Sequence, residues 1–186
     1  MRRTIHVLFF GIGLIFIALA ILVAMIAANQ TQSVTGVEKP QDCVEPMKVD
    51  YPAPAIRLTD IAGSTVSLAD HKGDVILLNT WTTWCPPCRR EMPDLEAFFR
   101  IHAEEGFVLL GVNIGEKKEA VVQFVDTFQL TFPIWLDPDE STLRSLNSFS
   151  LPYSIVIDRE GIVRYAWSGA TCLSALESTI SPMVRQ

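Results

Sequence analysis

The chain opens on an apolar run, "VLFFGIGLIFIALAILVAMIAA" (Val7–Ala28), in which 22 consecutive residues carry no charge. About 20 apolar residues match the hydrocarbon thickness of a bilayer, and the run outlasts the core of a secretion signal. Residues 1–28 are therefore predicted to be one transmembrane helix serving as an N-terminal membrane anchor, an uncleaved signal-like segment; the small pair Ala27-Ala28 leaves cleavage open. Residues 29–50 are polar and read as a linker. From Tyr51 the texture changes, and residues 51–186 read as one domain with a core large enough to fold alone.

Within that domain "AIRLTDIAGSTVSL" alternates around Ala62-Gly63, predicting a hairpin. "DVILLNTW" (Asp74–Trp81) is nearly all apolar, as a central strand buried on both faces should be. Met92, Leu95, Phe98, Phe99 and His102 recur at spacings of three and four, so a helix is expected from about Pro86 to Glu105, kinked at Pro93. "GFVLLGVNI" is a second buried strand. In "EKKEAVVQFVDTFQL" the residues Val121, Val122, Phe124, Val125 and Phe128 mark the buried stripe of an amphipathic helix. "FPIWLD" is a short strand, and "DESTLRSL" is a short helix opened by an acidic turn. "YSIVID" and "IVRYAWSG" are strands joined at Arg159-Glu160-Gly161, with the hairpin at a sheet edge. "CLSALESTISPMVRQ" is a closing helix, interrupted or weakened near Pro182. Strands alternating with helices imply an α/β fold with a parallel core and an antiparallel flank.

Charge orients the anchor. Arg2 and Arg3 precede it and one lysine follows in the adjoining stretch 29–42, so the N-terminus is expected inside and the domain on the extracytoplasmic side. Disulfides persist in such a compartment. Beyond Ala28 lie 21 acidic and 13 basic residues, a net charge of −8. An acidic domain without a basic stripe excludes nucleic acid as the expected partner.

The candidate chemistry lies in "WTTWCPPCRRE". A Cys-x-x-Cys pair can be half of a zinc site, but Cys43 and Cys172 are isolated and His6, His71 and His102 form no paired motif, so no metal is expected. The pair instead follows a buried strand and opens a helix, where free N–H groups and the macrodipole favour an anion. A thiolate at Cys85 is stabilised there. Cys88, one turn inward, is placed to resolve a mixed disulfide. Pro86 and Pro87 suit the first helical turn and hold the loop rigid. They also withhold two N–H donors from the Cys85 sulfur, which disfavours the thiolate and tilts the couple towards reduction. Glu91 lies at i+3 from Cys88 on the same helix face, where a carboxylate raises thiol pKa values and can relay a proton. A solvated surface charge, or a partner of Arg89 and Arg90, is the alternative for Glu91.

With "LLNTWTTWCPPCRREMP", "LLGVNIGEKKEAVVQFVDTFQLTFPIWLD" and "SLPYSIVIDREGIVRYAWSG", the chain resembles the TlpA/ResA type of membrane-anchored, extracytoplasmic thioredoxin-like thiol–disulfide oxidoreductases over roughly residues 50–180. The resemblance implies a thioredoxin-like fold, a mixed central sheet flanked by helices, with an N-terminal β-hairpin and a central helix–strand insert around residues 116–136. It implies that Cys85 attacks, Cys88 resolves and Glu91 tunes the pair, with Asn79 where thioredoxins proper carry an aspartate. Pro152 matches a cis-proline that faces the disulfide and lets Leu151 pair its backbone with substrate. Trp84, Pro86 and Pro87 complete the expected substrate-binding surface. Tyr153 stands where the family commonly has threonine, which alters the groove. No cofactor is implied. The partners implied are a disulfide-bearing substrate protein (apocytochrome c or a copper-site assembly protein), a membrane electron donor of the thiol-transfer type, and the lipid bilayer around the anchor. The location implied is the bacterial cytoplasmic membrane, crossed once.

Cys43 and Cys172 make an even cysteine count, which points to a bridge tying the linker to the closing helix, with two free thiols or a second redox relay as the alternatives. The leading function is an extracytoplasmic protein disulfide reductase acting in cytochrome c maturation or a related assembly pathway. A copper-binding assembly chaperone of the respiratory oxidase is the rival, since thiolates hold Cu(I), but no histidine follows His102 to serve as a distant ligand. A peroxidase site needs proline where this chain has Leu78. Cytosolic tryparedoxin-like enzymes share "WCPPCR" but carry no such anchor.

Overall fold

Period-two alternation through β4 (Val75–Trp81) shows how one strand serves two cores. Val75, Leu77 and Trp81 enter one apolar cluster, while Ile76 and Leu78 enter the cluster on the opposite face. The same alternation turns Asn79 towards the first face and Thr80 towards the second. In the computed structural model, which describes residues 19–25 and 43–186, β4 is an interior strand of an eight-stranded mixed sheet.

The other strands are β1 (Met47–Pro52), β2 (Arg57–Asp60), β3 (Thr65–Ser67), β5 (Phe107–Ile114), β6 (Ile134–Asp137), β7 (Tyr153–Ile157) and β8 (Ile162–Ser168). Their order across the sheet is β1-β8-β7-β4-β5-β6-β2-β3. β4, β5 and β6 run parallel, β7, β8 and β1 continue antiparallel on one side, and the β2–β3 hairpin closes the other. The helices are α1 (Pro86–His102), α2 (Lys118–Phe128), α3 (Ser141–Ser145), α4 (Leu173–Thr179) and α5 (Ser181–Val184), with a 3₁₀ turn at Leu68–His71. Met92, Leu95 and Phe98 of α1, Val121 and Phe124 of α2, and Leu176 of α4 fill one core, and Leu146 and Leu68 close the other.

This is the thioredoxin-like arrangement the sequence implied, with three local differences. Residues 47–50, assigned to the linker, belong to β1, which pairs with β8. Only alternate positions of β1 are half-buried and the strand ends on Pro52, so its weak periodicity is that of an edge strand. The β7–β8 hairpin is consequently not the edge, because β1 covers it. The acidic residue that caps α3 is Asp137, which accepts from the Ser141 and Thr142 amides at 3.0 and 2.7 Å, whereas Glu140 makes no side-chain cap bond. The closing helix is interrupted near Pro182 as expected: it is two short helices divided at Ile180. α1 runs on through Pro93.

Of the predicted anchor at residues 1–28, only residues 19–25 are described, and they are helical. The rest lies outside the described residues, among which no helix is long and apolar enough to cross a membrane. The described residues 43–186 belong to one compact unit.

Gly111 sits where β5 passes beneath the loop into β6. A Cβ there would lie 2.8 Å from Phe132 Cε2, 2.9 Å from Ile134 Cδ1 and 3.2 Å from Trp81 Nε1. Gly111→Ala is expected to cost about 1–3 kcal/mol through overpacking, read as a lowered midpoint in urea denaturation with an unchanged slope.

Candidate active site

β4 delivers the chain to the site and α1 carries it away. Cys85 is the N-cap of α1, and Pro86 and Pro87 occupy the first two helical positions. With both of those nitrogens lacking hydrogen, the first donor available to the cap is the Cys88 amide, which reaches Cys85 Sγ at 3.3 Å. The two cysteines are joined as a disulfide, their Cα atoms 5.3 Å apart, so the couple is held in its oxidised state. Cys88 is fully buried, while Cys85 retains 3% of its surface. Trp84 beside it is 70% exposed. Pro86 is exposed and Pro87 half-buried.

Glu91 is 1% exposed, not a solvated helix charge. Its Oε1 accepts from Asn79 Nδ2 at 2.8 Å, and its Oε2 accepts from the Thr171 amide at 3.0 Å. Asn79 also donates to Ser154 Oγ at 2.9 Å, across the β4–β7 register that pairs the two residues. Burial pushes the Glu91 carboxyl up to about 8; the bonds from Thr171 and Asn79 oppose the rise, and nearby Asp94 adds to it. A carboxyl with that affinity changes charge in the range where thiols ionise, so it can take up or release a proton beside the couple.

The Leu151–Pro152 peptide bond is cis. Leu151 is half-buried and Pro152 buried, where the loop meets β7. Thr80 Oγ1 donates to the Tyr153 carbonyl at 3.0 Å, and the Gly169 amide donates to the Pro152 carbonyl at 2.9 Å, so this loop is bonded to both its neighbours. Cys43 and Cys172 form the second disulfide, with Cys172 the N-cap of α4. His102 stands at the far end of α1, buried between Glu105, Glu177 and Ser181.

One residue with a direct hold on the site was quoted only as part of a motif. Glu116, in the "VNIGE" turn after β5, accepts from the Thr83 amide at 2.7 Å, from Thr83 Oγ1 at 2.6 Å and from Asn113 Nδ2 at 2.8 Å. It fixes the backbone just before Trp84 and Cys85. Arg89 adds a bond to the Thr83 carbonyl at 3.0 Å and lies over the Phe124 and Phe128 rings. Removing the clamp with Glu116→Ala is expected to slow disulfide exchange about tenfold, the scale of losing positioned charge-assisted bonds. Stopped-flow turnover against a small disulfide, with circular dichroism as the folding control, checks it. Thr171 and Ser154 were missed because nothing local marks them; they meet the site only through the fold.

Residues 49–166 match the AhpC/TSA family. Thiol-disulfide oxidoreductase ResA from Geobacillus kaustophilus strain HTA426 is 38% identical over 125 residues, covering 67% of this chain and 72% of that one. ResA from Bacillus subtilis strain 168 is 36% identical over 111 residues, covering 60% of this chain and 62% of that one. Among solved structures, StoA from Bacillus subtilis aligns with a TM-score of 0.59 at 27% identity, covering 69% of this chain and 96% of that one. A putative thiol:disulfide interchange protein DsbE from Chlorobium tepidum aligns with a TM-score of 0.66 at 28% identity, covering 76% and 99%.

Proposed function

The chain belongs to the AhpC/TSA family and is a thiol–disulfide oxidoreductase, and we propose that it works as a reductase on the extracytoplasmic face of a bacterial cytoplasmic membrane, anchored through residues 1–28. The observation that carries the reductive direction is the poverty of thiolate stabilisation around the couple. Two prolines leave Cys85 Sγ a single amide donor, from Cys88, and a buried carboxyl lies one turn further along the same helix. A poorly stabilised thiolate makes the dithiol form the stronger reductant.

In the reductive reaction the Cys85 thiolate attacks one sulfur of a substrate disulfide. The substrate S–S bond breaks, its other sulfur leaves as a thiolate, and Cys85 holds the substrate in a mixed disulfide. Cys88 loses its proton, which Glu91 on the same helix accepts when in its ionised form, and attacks Cys85 Sγ. The second substrate sulfur departs, and the Cys85–Cys88 disulfide retains the oxidation taken from the substrate. A dithiol electron donor in the membrane returns the couple to its reduced form. Trp84, Pro86, Pro87, Leu151 and Pro152 form the substrate-binding surface. The substrates are protein disulfides of an assembly pathway: the haem-binding cysteines of apocytochrome c or the thiols of a copper-site assembly protein. His102 is itself buried and its ring nitrogens are taken up by Glu105, Glu177 and Ser181 at the far end of α1, which leaves it no role as a copper ligand for the thiols, so reduction is favoured over copper carriage.

Equilibration of the purified chain with a graded glutathione buffer tests the direction. A potential below about −200 mV is expected, on the side of thioredoxin at about −270 mV. A value near the roughly −120 mV of a dedicated oxidant overturns the reductase reading.

A further inference from the structure

The second disulfide lies next to the group that holds Glu91. Cys172 follows Thr171 directly, and the Thr171 amide is the donor on Glu91 Oε2 at 3.0 Å. Thr171 belongs to the short connection between β8 and α4, which has no regular structure. Two links attach that connection to the start of the domain: the Cys43–Cys172 bridge, and the Val44 amide donating to the Ala170 carbonyl at 2.8 Å. Gly169 lies close against Val44 as well, since a Cβ on it would lie 3.0 Å from Val44 Cγ2. Residues 43–44 thus form a clip across residues 169–172, and the bridge closes it.

We propose that Cys43 and Cys172 are positioning residues for the redox site: their disulfide holds the Thr171 amide against Glu91 and so sets the carboxyl's proton affinity. This rests on the reading of Glu91 as the tuner of the Cys85–Cys88 couple. The groups facing Glu91 are few. From β4 comes Asn79, which also holds Ser154 of β7, and from the β8–α4 connection comes Thr171, all uncharged; Asp94 of α1 is the nearby charge, and Cys85 and Cys88 are the neighbouring thiols on that helix. Among these the Thr171 amide is the donor placed on an irregular segment, and the bridge supports it. Asn79 lies in a strand paired on both sides and needs no such support. A hydrogen bond to a carboxylate stabilises its charged form, so a slackened Thr171 amide raises the proton affinity further.

The test uses the full chain carrying Cys85→Ala and Cys88→Ala, in which Cys43–Cys172 is the sole disulfide and no exchange chemistry takes place. The Glu91 carboxyl carbon is titrated by NMR with the bridge intact and again with it opened by dithiothreitol. The expected result is an upward shift of about one pH unit, tenfold in proton affinity. An unchanged midpoint overturns the proposal. Should the opened chain unfold, Thr171→Pro with the bridge intact carries the test: the same upward shift is expected, and an unmoved midpoint is the contrary result. Because this chain lacks the redox pair, its result stands apart from the glutathione measurement, which alone bears on the reductase reading.

Discussion

Cys85→Ser is expected to reduce disulfide exchange to the uncatalysed background, a loss on the order of 10³ or more, as when a covalent nucleophile is removed. Serine cannot form a mixed disulfide, and no other thiol can replace Cys85. Cys88 is fully buried one turn inside the helix, and Cys43 and Cys172 are bonded to each other. Cys88→Ser should behave differently. The first attack proceeds, the second cannot, and the chain stalls as a covalent adduct after one encounter. Single-turnover kinetics separate the two variants: no burst for Cys85→Ser, one stoichiometric burst for Cys88→Ser. A residual multiple turnover in Cys85→Ser above one-hundredth of the wild-type rate would show that the chemistry lies elsewhere.

The second large effect concerns Glu91→Gln, which should change both thiol reactivity and the pH dependence of stability. Glu91 has its midpoint near 8, within the range of thiol ionisation, so carboxyl and thiols titrate as a coupled set. Removing the carboxylate removes a like charge from beside the thiolate. The alkylation profile of reduced Cys85 should therefore move down by about one pH unit and sharpen to a single step. For stability, burial holds the Glu91 carboxyl at about 8 in the folded chain against an ordinary value of 4.5. Between those values the folded chain keeps a proton that the unfolded chain has released. Stability from this group is complete below about 4.5 and is lost as pH rises through 8, a difference on the order of a few kcal/mol. Glutamine cannot ionise, so the variant should lack that loss. Its own side-chain N–H₂ also replaces an oxygen that Thr171 or Asn79 now contacts, which shifts the absolute stability at every pH. The change in stability between pH 4.5 and pH 8.5, compared for the two chains by urea denaturation, isolates the titration. An identical pH dependence in both chains would rule out a buried, neutral Glu91.

The parts of this architecture that were legible in the sequence are those whose cause is local. β4 and β5 announced themselves because a strand covered on both faces must be apolar throughout, and α1 because its buried face recurs at helical spacing. The cysteine pair was legible for the same reason, as a short motif between two recognisable elements. β1 was not, because an edge strand carrying Lys48 and Asp50 differs little from a polar linker until β8 is beside it. Glu91 was legible as a position on a helix face but not as a buried group. Its burial depends on Asn79, brought in by β4, and on the Thr171 amide at the other end of the domain. Asn79 itself was visible only as the replacement of an aspartate, and its role as donor to Glu91 explains why an amide suits that position. Glu116 lay within a quoted motif, yet its task of holding Thr83 depends on β5 ending beside the β4–α1 loop, which no spacing along the chain reveals.

The central claim is that Cys85, and no other thiol, makes covalent contact with a protein disulfide. Expressing Cys88→Ser with its N-terminal segment intact, capturing the chain under acid quench and mapping the adduct by mass spectrometry tests this most directly. The account predicts a partner protein linked through Cys85 and released by reductant, with none recovered from the Cys85→Ser, Cys88→Ser double variant. A partner held through Cys43 or Cys172, or no adduct together with a Cys85 inert to alkylation at neutral and alkaline pH, would contradict it.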